Sequence, residues 1–170
     1  MKVIVIGCTH AGMTAVKEAL KVHPETDITV YERNTNVSFL SCGISLYLSN
    51  EVNSLETMLS ETPEHLTELG ANVKIGHDVL KIDTKNKTII VENLETQEQF
   101  TDHYDKLVMA TGSSASVPTV KGVDSFRVQV CKTYEQAQTI KQYSKNNHHI
   151  AIIGGGYSGV EMAEAYAHTN

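Results

Sequence analysis

A chain of 170 residues is long enough for one good hydrophobic core, or for one domain with part of another. Its composition, 41% hydrophobic and 20% charged, is ordinary for a globular protein and argues against a disordered or fibrous chain. Fourteen Lys and Arg stand against twenty Asp and Glu, which gives a net charge of −6 without any basic cluster. Nucleic acid is therefore excluded as an expected partner.

The first apolar run, Val3–Ile6, is too short for a signal peptide or a membrane span, so a cytoplasmic protein with no membrane partner is predicted. The three cysteines, Cys8, Cys42 and Cys131, form an odd set without CxxC spacing. This argues against both a disulfide framework and a zinc site, and no metal site is predicted. Cys8 and Cys131 are interpreted as small buried apolar residues.

The opening of the chain predicts a strand, a helix and a second strand. A buried strand over Lys2–Ile6 leads through a glycine turn into a helix whose apolar face includes Met13 and Val16. A second strand, Ile28–Tyr31, follows His23-Pro24, which is a natural helix stop. The spacing is typical of a parallel crossover.

The middle of the chain is more varied. Residues 34–53 are irregular, with a short helix expected near Cys42, and Thr62-Pro63 predicts the start of a helix over Pro63–Leu69. Four strands are then predicted. They are Val73–Ile75, Val79–Ile82, Thr88–Val91 and Lys106–Ala110.

The last third of the chain repeats the opening pattern. A helix over Tyr134–Tyr143 precedes a short apolar strand, Ile150–Ile153, a glycine turn and a helix over about Ser158–His168. One strand and one helix cannot close a sheet. We therefore expect this segment to pack on the first domain, to be partly ordered, or to belong to a longer parent protein.

The first glycine turn, Gly7-Cys8-Thr9-His10-Ala11-Gly12, matches the GxGxxG dinucleotide fingerprint at its first and last glycines, with Thr9 in the middle position. Such a turn admits a pyrophosphate to a helix N-terminus. Glu32 follows 20 residues after Gly12, at the end of the second strand, where a carboxylate can accept ribose hydroxyls. Together these features predict a dinucleotide site.

The second glycine turn, Gly154-Gly155-Gly156-Tyr157-Ser158-Gly159, matches the fingerprint in full. Two nucleotide fingerprints in one polypeptide suggest two dinucleotides brought face to face. Hydride transfer between cofactors requires this arrangement.

Three segments together resemble the NADH oxidase and NADH peroxidase group of the pyridine nucleotide-disulfide oxidoreductase superfamily. They are the run from Val3 to Gly12, Val37-Ser38-Phe39-Leu40-Ser41-Cys42-Gly43, and the run from Tyr104 to Ser113. Within that group the resemblance is greatest to the water-forming oxidases. It implies an α/β fold: a Rossmann-like FAD-binding domain (parallel sheet plus antiparallel β-meander) over residues 1–113, and a linker with the start of an NAD-binding Rossmann domain over 114–170.

The resemblance also implies the cofactors FAD and NADH and a set of binding residues. FAD would be held by the first glycine turn and Glu32, with Arg33 nearby, and by the second contact Ala110-Thr111-Gly112-Ser113; NADH would be held by Gly154, Gly156, Tyr157, Ser158, Gly159 and Glu161. Val79 and Lys132 match positions near the adenine and the flavin. Substrates would be small molecules, and the parent protein a homo-oligomer.

Cys42 is the residue to which the resemblance gives the chemistry. Many superfamily members carry a CxxxxC pair, but the second position here is Tyr47, so Cys42 would act as a single thiol. A thiolate can be oxidised to sulfenic acid and restored by reduced flavin. A helix N-terminus near Cys42 and the imidazole of His10 would favour its ionisation, and His10 would serve as acid and base.

The expected activity is oxidation of NADH through FAD, with oxygen taken first to the level of peroxide and then, by Cys42, to water. Two relatives with the same lone cysteine remain as alternatives, NADH peroxidase and coenzyme A-disulfide reductase. A third alternative is that the 170-residue chain is a non-catalytic FAD- or NAD-binding fragment of such an enzyme.

Overall fold

The computed structural model describes residues 1–145 and 149–169 as seven strands, five α-helices and short 3-10 turns. In chain order they are β1 (Lys2–Ile6), α1 (His10–Val22), β2 (Asp27–Glu32), α2 (Ile44–Leu48), α3 (Pro63–Glu68), β3 (Ala71–Ile75), β4 (His77–Asp83), β5 (Thr88–Asn93), β6 (Gln99–His103), β7 (Lys106–Met109), α4 (Tyr134–Ser144) and α5 (Tyr157–Ala167).

These elements form two compact units. The first comprises Met1–Phe39 and Leu59–Gly112, and the second comprises Leu40–Met58 and the described residues from Ser113 onward. By packing, the segment that carries Cys42 therefore belongs to the second unit, although it falls inside the stretch 1–113. The assignment of FAD to 1–113 and of NAD to 114–170 stays a prediction.

The first unit contains the parallel sheet and the antiparallel meander that the sequence predicted, which confirms the fold class. The parallel sheet has the order β3-β2-β1-β7, and the meander has the order β4-β5-β6. Every strand of the parallel sheet points the same way, so Gly7, Glu32 and Ala110 all lie at its carboxyl edge. In open α/β sheets this edge is where ligands bind.

Strand β1 is apolar at successive positions because both of its faces are buried. Val3 and Val5 belong to one core cluster with Val16 of α1, whereas Ile4 and Ile6 belong to another with residues of the meander. A fully buried aliphatic side chain contributes about 1.5–3 kcal/mol. The short run that opens the chain is thus the centre of two cores.

The second unit contains α2, α4 and α5. Helix α2 packs against both others. Thr133 begins α4 with a capping box, in which its hydroxyl accepts from the N–H of Gln136 and the Gln136 side chain accepts from the N–H of Thr133. Of the described helices, none has the length and apolar character needed to cross a membrane.

The prediction of a strand over Ile150–Ile153 was wrong. These residues lie outside every strand, and Ile153 is 83% exposed. A strand exists only as part of a hydrogen-bonded ladder, and no described segment pairs with this run. The helix predicted after it is present as α5.

Candidate functional site

The first glycine turn is built so that backbone packs on backbone. Gly7 has φ +88°, a conformation that favours glycine, and a Cβ at this position would lie 2.4 Å from the carbonyl oxygen of Ala110. A Cβ on Gly12 would lie 1.9 Å from the carbonyl oxygen of Gly7. The two fingerprint glycines therefore allow strand β1, helix α1 and the end of β7 to approach closely.

Helix α1 presents its N-terminus at this turn. Thr9 is the N-cap, and its side chain makes no capping hydrogen bond to any described residue, while His10 and Ala11 are exposed. The first amides of a helix have no partner within the helix and carry a partial positive charge. This end of α1 is suited to an anion such as a pyrophosphate.

Glu32 is only 3% exposed, and its carboxylate is held in place by the chain itself. One oxygen accepts the backbone N–H of Cys8 at 2.6 Å, and the other accepts the backbone and side-chain N–H groups of Asn34 at 2.9 and 2.7 Å. A carboxylate has about four acceptor positions, so one remains for a ribose hydroxyl. Arg33, next along the chain, is exposed. The residues at this edge fit the ribose and pyrophosphate of a dinucleotide.

The segment Ala110-Thr111-Gly112 continues from β7 beside the turn. The Ala110 N–H donates to the carbonyl of Ile6 at 2.8 Å, and Thr111 and Gly112 are exposed. Gly112 has φ +66°, which is where the chain bends away after the strand. Val79 is half-buried in the meander, against the core cluster that includes Ile4.

Cys42 lies in the second unit, in the middle of the 3-10 turn Ser41–Gly43 that leads directly into α2, and its side chain is exposed. Gly43 packs against the flexible end of the Met58 side chain, whose thioether sulfur would lie 2.9 Å from a Cβ at this position. The N–H of Leu40 donates to the carbonyl of Met58 at 2.9 Å. The turn therefore holds the thiol at the surface, with its backbone hydrogen-bonded at Leu40.

The other two cysteines do not share this placement. Cys8 is fully buried, and burial, reinforced by the charges of Glu32 and Glu61, raises the pKa of its thiol to about 12. Cys131 is half-buried against the sulfur of Met162, and burial raises its pKa as well. Both are poor nucleophiles, which agrees with their interpretation as packing residues.

The second glycine turn has the local geometry of the first. Gly154 has φ +114°, and a Cβ on Gly159 would lie 2.0 Å from the Gly154 carbonyl oxygen, much as Gly12 approaches Gly7. Gly156 is the N-cap of α5, with Tyr157 as the first helical residue at 92% exposure. Ser158 and Glu161 are exposed on the same helix, and Ser113 and Lys132 are exposed elsewhere in the second unit.

The two units thus divide the predicted site residues between them. The first unit brings together the first glycine turn, Glu32 and Ala110–Gly112; the second carries Cys42 and the second glycine turn. Since His10 and Cys42 belong to different units, their cooperation stays a prediction. Within residues 1–145 and 149–169 no group of three His, Cys, Asp or Glu side chains is arranged to hold a metal ion.

Three residues that matter locally were not predicted. Asn34 orients Glu32, and its position two residues after a strand-ending acid was a usable signal. Ser38 is buried with φ +57°, donates its N–H to the Cys8 carbonyl at 2.8 Å and exchanges hydrogen bonds with the Glu61 backbone. Lys141 donates to carbonyls at the end of α2, more than 90 residues away in sequence, and no local sequence pattern predicts this contact.

Comparison with known proteins gives matches over the whole chain. The family model described as pyridine nucleotide-disulphide oxidoreductase matches residues 1–170. An NADH oxidase of Enterococcus faecalis is 47% identical over 166 residues, covering 98% of this chain and 37% of the relative. A coenzyme A disulfide reductase of Staphylococcus haemolyticus is 30% identical over 166 residues, covering 96% of this chain and 37% of the relative.

Among solved structures, the water-forming NADH oxidase from Lactobacillus brevis bound to NADH superposes with a TM-score of 0.97 at 50% sequence identity. The match covers 99% of this chain and 38% of that one. The chain thus spans little more than a third of the length of these relatives. From the glycine turns, the buried acid and the family match, the chain belongs to the pyridine nucleotide-disulphide oxidoreductase family.

Proposed function

We propose that the full-length protein is a flavin-dependent NADH oxidase that reduces oxygen to water through the single thiol of Cys42. The observation that carries the proposal is an exposed cysteine on the Ser41–Gly43 turn with Tyr47, rather than a second cysteine, five residues later. The similarity to NADH oxidases of Enterococcus faecalis and Lactobacillus brevis supports the choice of substrate.

The residues at the carboxyl edge of the parallel sheet fit FAD. The amides at the start of α1 would bind its pyrophosphate, and Glu32 would accept a ribose hydroxyl. Ala110 to Ser113 would provide the second contact. Bound FAD would supply the redox chemistry, taking a hydride from NADH and passing electrons on to oxygen and to Cys42.

The second glycine turn would bind NADH. The N–H groups at the start of α5 would receive its pyrophosphate, and Tyr157 and Glu161 lie on the first turns of the same helix. Tyr157, almost fully exposed, would cover the nicotinamide where it meets the flavin. Tyr157 and Glu161 would orient NADH and would take no part in the electron transfer themselves.

Cys42 would complete the reduction of oxygen. Its thiolate attacks one oxygen of hydrogen peroxide, so that the S–O bond forms, the O–O bond breaks and hydroxide leaves. His10 donates a proton to that hydroxide to give water, and Cys42 becomes sulfenic acid. Two further electrons and a proton, drawn from a second NADH, return the sulfenic acid to thiolate and release the second water. Two NADH are then consumed for each oxygen.

A stoichiometry measurement on full-length protein tests this. The wild type is expected to consume about two NADH per oxygen without releasing hydrogen peroxide, whereas Cys42→Ser should consume about one NADH per oxygen and release one peroxide. Cys131→Ser is the matched control, because that thiol is half-buried and packs on Met162. If Cys42→Ser still forms water alone, the cysteine is not the peroxide reductant.

Coenzyme A-disulfide reduction is the second candidate, because a reductase of that kind matches 96% of this chain at 30% identity. A lone thiolate can form a mixed disulfide as readily as a sulfenic acid. NADH oxidation should therefore be compared with oxygen, hydrogen peroxide and coenzyme A disulfide as acceptors. Fastest turnover with the disulfide under anaerobic conditions would replace the oxidase proposal with the reductase.

A further inference from the structure

The ammonium group of Lys141, on α4, is bound at the C-terminal end of α2. Its Nζ donates to the carbonyl oxygens of Tyr47 at 2.6 Å and Leu48 at 3.1 Å, and to the side-chain oxygen of Asn50 at 2.6 Å. An ammonium has three N–H donors, and here each has an acceptor. The charge also lies 5.0 Å from the centre of the Tyr47 ring, within the range of a cation–π contact.

These contacts supply what a short helix lacks. Helix α2 has five residues, too few to be stable by itself in water, and its last carbonyls have no partner within the helix. A cation at this end satisfies those carbonyls and opposes the negative end of the helix dipole. Burial, with a smaller effect of the neighbouring Lys145 charge, lowers the pKa of Lys141, because the ammonium is partly withdrawn from water at this site.

Cys42 lies at the opposite end of the same helical segment. The 3-10 turn Ser41–Gly43 runs into α2 without a break, and six residues, about 9 Å of helix, separate Cys42 from Leu48. At the cysteine end the chain is held by the N–H of Leu40, which donates to the carbonyl of Met58 at 2.9 Å. At the far end, the backbone N–H groups of Ser49, Asn50 and Val52 donate to carbonyls of the segment, and Lys141 adds two hydrogen bonds from another helix, α4.

We propose that Lys141 is a positioning residue for Cys42. By fixing the helical segment 41–48, it would hold the thiol in one position and one orientation. This rests on the proposed function. Tyr47, which stands where many family members carry a second redox cysteine, takes part in the clamp through its ring and its carbonyl.

The test replaces Lys141 by Met in the full-length, flavin-loaded protein, which keeps an unbranched side chain one atom shorter and removes the charge and the donors. We expect alkylation of Cys42 by iodoacetamide, followed by mass spectrometry across pH 5–10, to show a shifted pH profile. Reduction of peroxide by Cys42 should slow about tenfold or more, since a displacement of about 1 Å can cost about 10²-fold in rate. Hydrogen peroxide, which the wild type is expected not to release, should then be released. Lys141→Arg should restore both, because it keeps a cation with several donors.

Lys145→Met is the matched control: it removes a positive charge one turn further along, at the end of α4, and leaves the three hydrogen bonds of the Lys141 ammonium in place. It is expected to leave both measurements unchanged. If Lys141→Met does not fold, Asn50→Gly removes one acceptor while Gly accommodates the φ of +65° at that position, and it should give the same changes to a smaller degree.

The proposal is overturned if Lys141→Met is folded and loaded with flavin, yet alkylates and releases peroxide as the wild type does, even with a lowered melting temperature. That result would make Lys141 a purely structural residue. Failure of the proposed function looks different: the wild type itself would release peroxide, or Cys42→Ser would release none. The alkylation profile reports on Lys141 in either case.

Discussion

Gly7 combines two constraints that are separable by experiment. It has φ +88°, and its missing Cβ leaves room for the carbonyl of Ala110; Gly76 has φ +65° with nothing within 4 Å of the Cβ position. Gly76→Ala should therefore cost only the left-handed backbone, about 1–2 kcal/mol. Gly7→Ala adds a backbone clash at the centre of the sheet, for which we expect about 4 kcal/mol or more.

Urea unfolding of the two full-length variants measures the difference, and flavin absorbance after purification reports the nucleotide site. Gly7→Ala should lose flavin, whereas Gly76→Ala, whose N–H donates to the Asn34 carbonyl but whose added Cβ would meet no atom within 4 Å, should retain more of it. Equal destabilisation of the two variants would mean that a Cβ at Gly7 costs no more unfolding free energy than one at Gly76, and that the close approach of Gly7 to Ala110 does not require glycine.

Glu61 predicts how stability depends on pH. Its side chain is 7% exposed; burial alone would raise its pKa, but hydrogen bonds from Lys17 and His65 outweigh burial and hold the pKa at about 2. Because the folded pKa lies below the unfolded value of about 4.5, the stabilisation is complete above pH 4.5 and is lost as the pH falls toward 2.

Glu61→Gln should therefore lower the urea midpoint most at neutral pH, and the gap to wild type should narrow as the pH drops from about 5 to about 3. Glu64→Gln, an exposed acid three residues further on, in the first turn of α3, serves as the control. A gap that stays constant over this range would show that the Lys17 and His65 contacts do not stabilise the ionised form.

At the scale of elements, sequence patterns succeeded where burial set the residue types. Strand β1 was predicted with the bounds that the structure shows, and helix α1 was predicted after the glycine turn, because the sheet is buried on both faces and α1 on one. Strand β6 was not predicted, since Gln99–His103 contains mostly polar residues and is largely exposed. A hairpin edge is specified by its neighbour β5 more than by its own composition.

Residues 150–153 show the opposite error, a strand that was predicted and is absent. Its residues are those of a buried strand, yet a strand needs partners that the described residues do not supply.

The residues of the candidate site also fall into two groups, those that the local sequence predicts and those that only the fold brings together. The glycines and Glu32 follow from spacing, because each is required by backbone geometry or by a strand end. Lys141 could not be predicted, because its partners are backbone carbonyls that only the fold brings to it.

For the whole molecule, the two glycine turns differ in what supports them. Gly7 packs directly on Ala110 at the edge of a complete parallel sheet. Gly154 has no atom within 4 Å of its Cβ position, and the described residues directly before it, 149–153, belong to no sheet. A nucleotide site gains affinity from being formed in advance, because binding then pays no ordering entropy.

The 170-residue chain alone is therefore expected to be colourless or to hold FAD weakly, and not to oxidise NADH, whereas the proposed function requires the full-length protein to bind FAD and to oxidise NADH. Titration of the chain with FAD by flavin fluorescence and with NADH by calorimetry should detect the first nucleotide at lower concentration than the second, since only the first turn rests on a sheet. Gly7→Ala in the same chain should abolish the FAD response and leave the NADH result unchanged. A yellow 170-residue chain that oxidises NADH would contradict this, because it would mean that the second turn binds productively without a sheet beneath it.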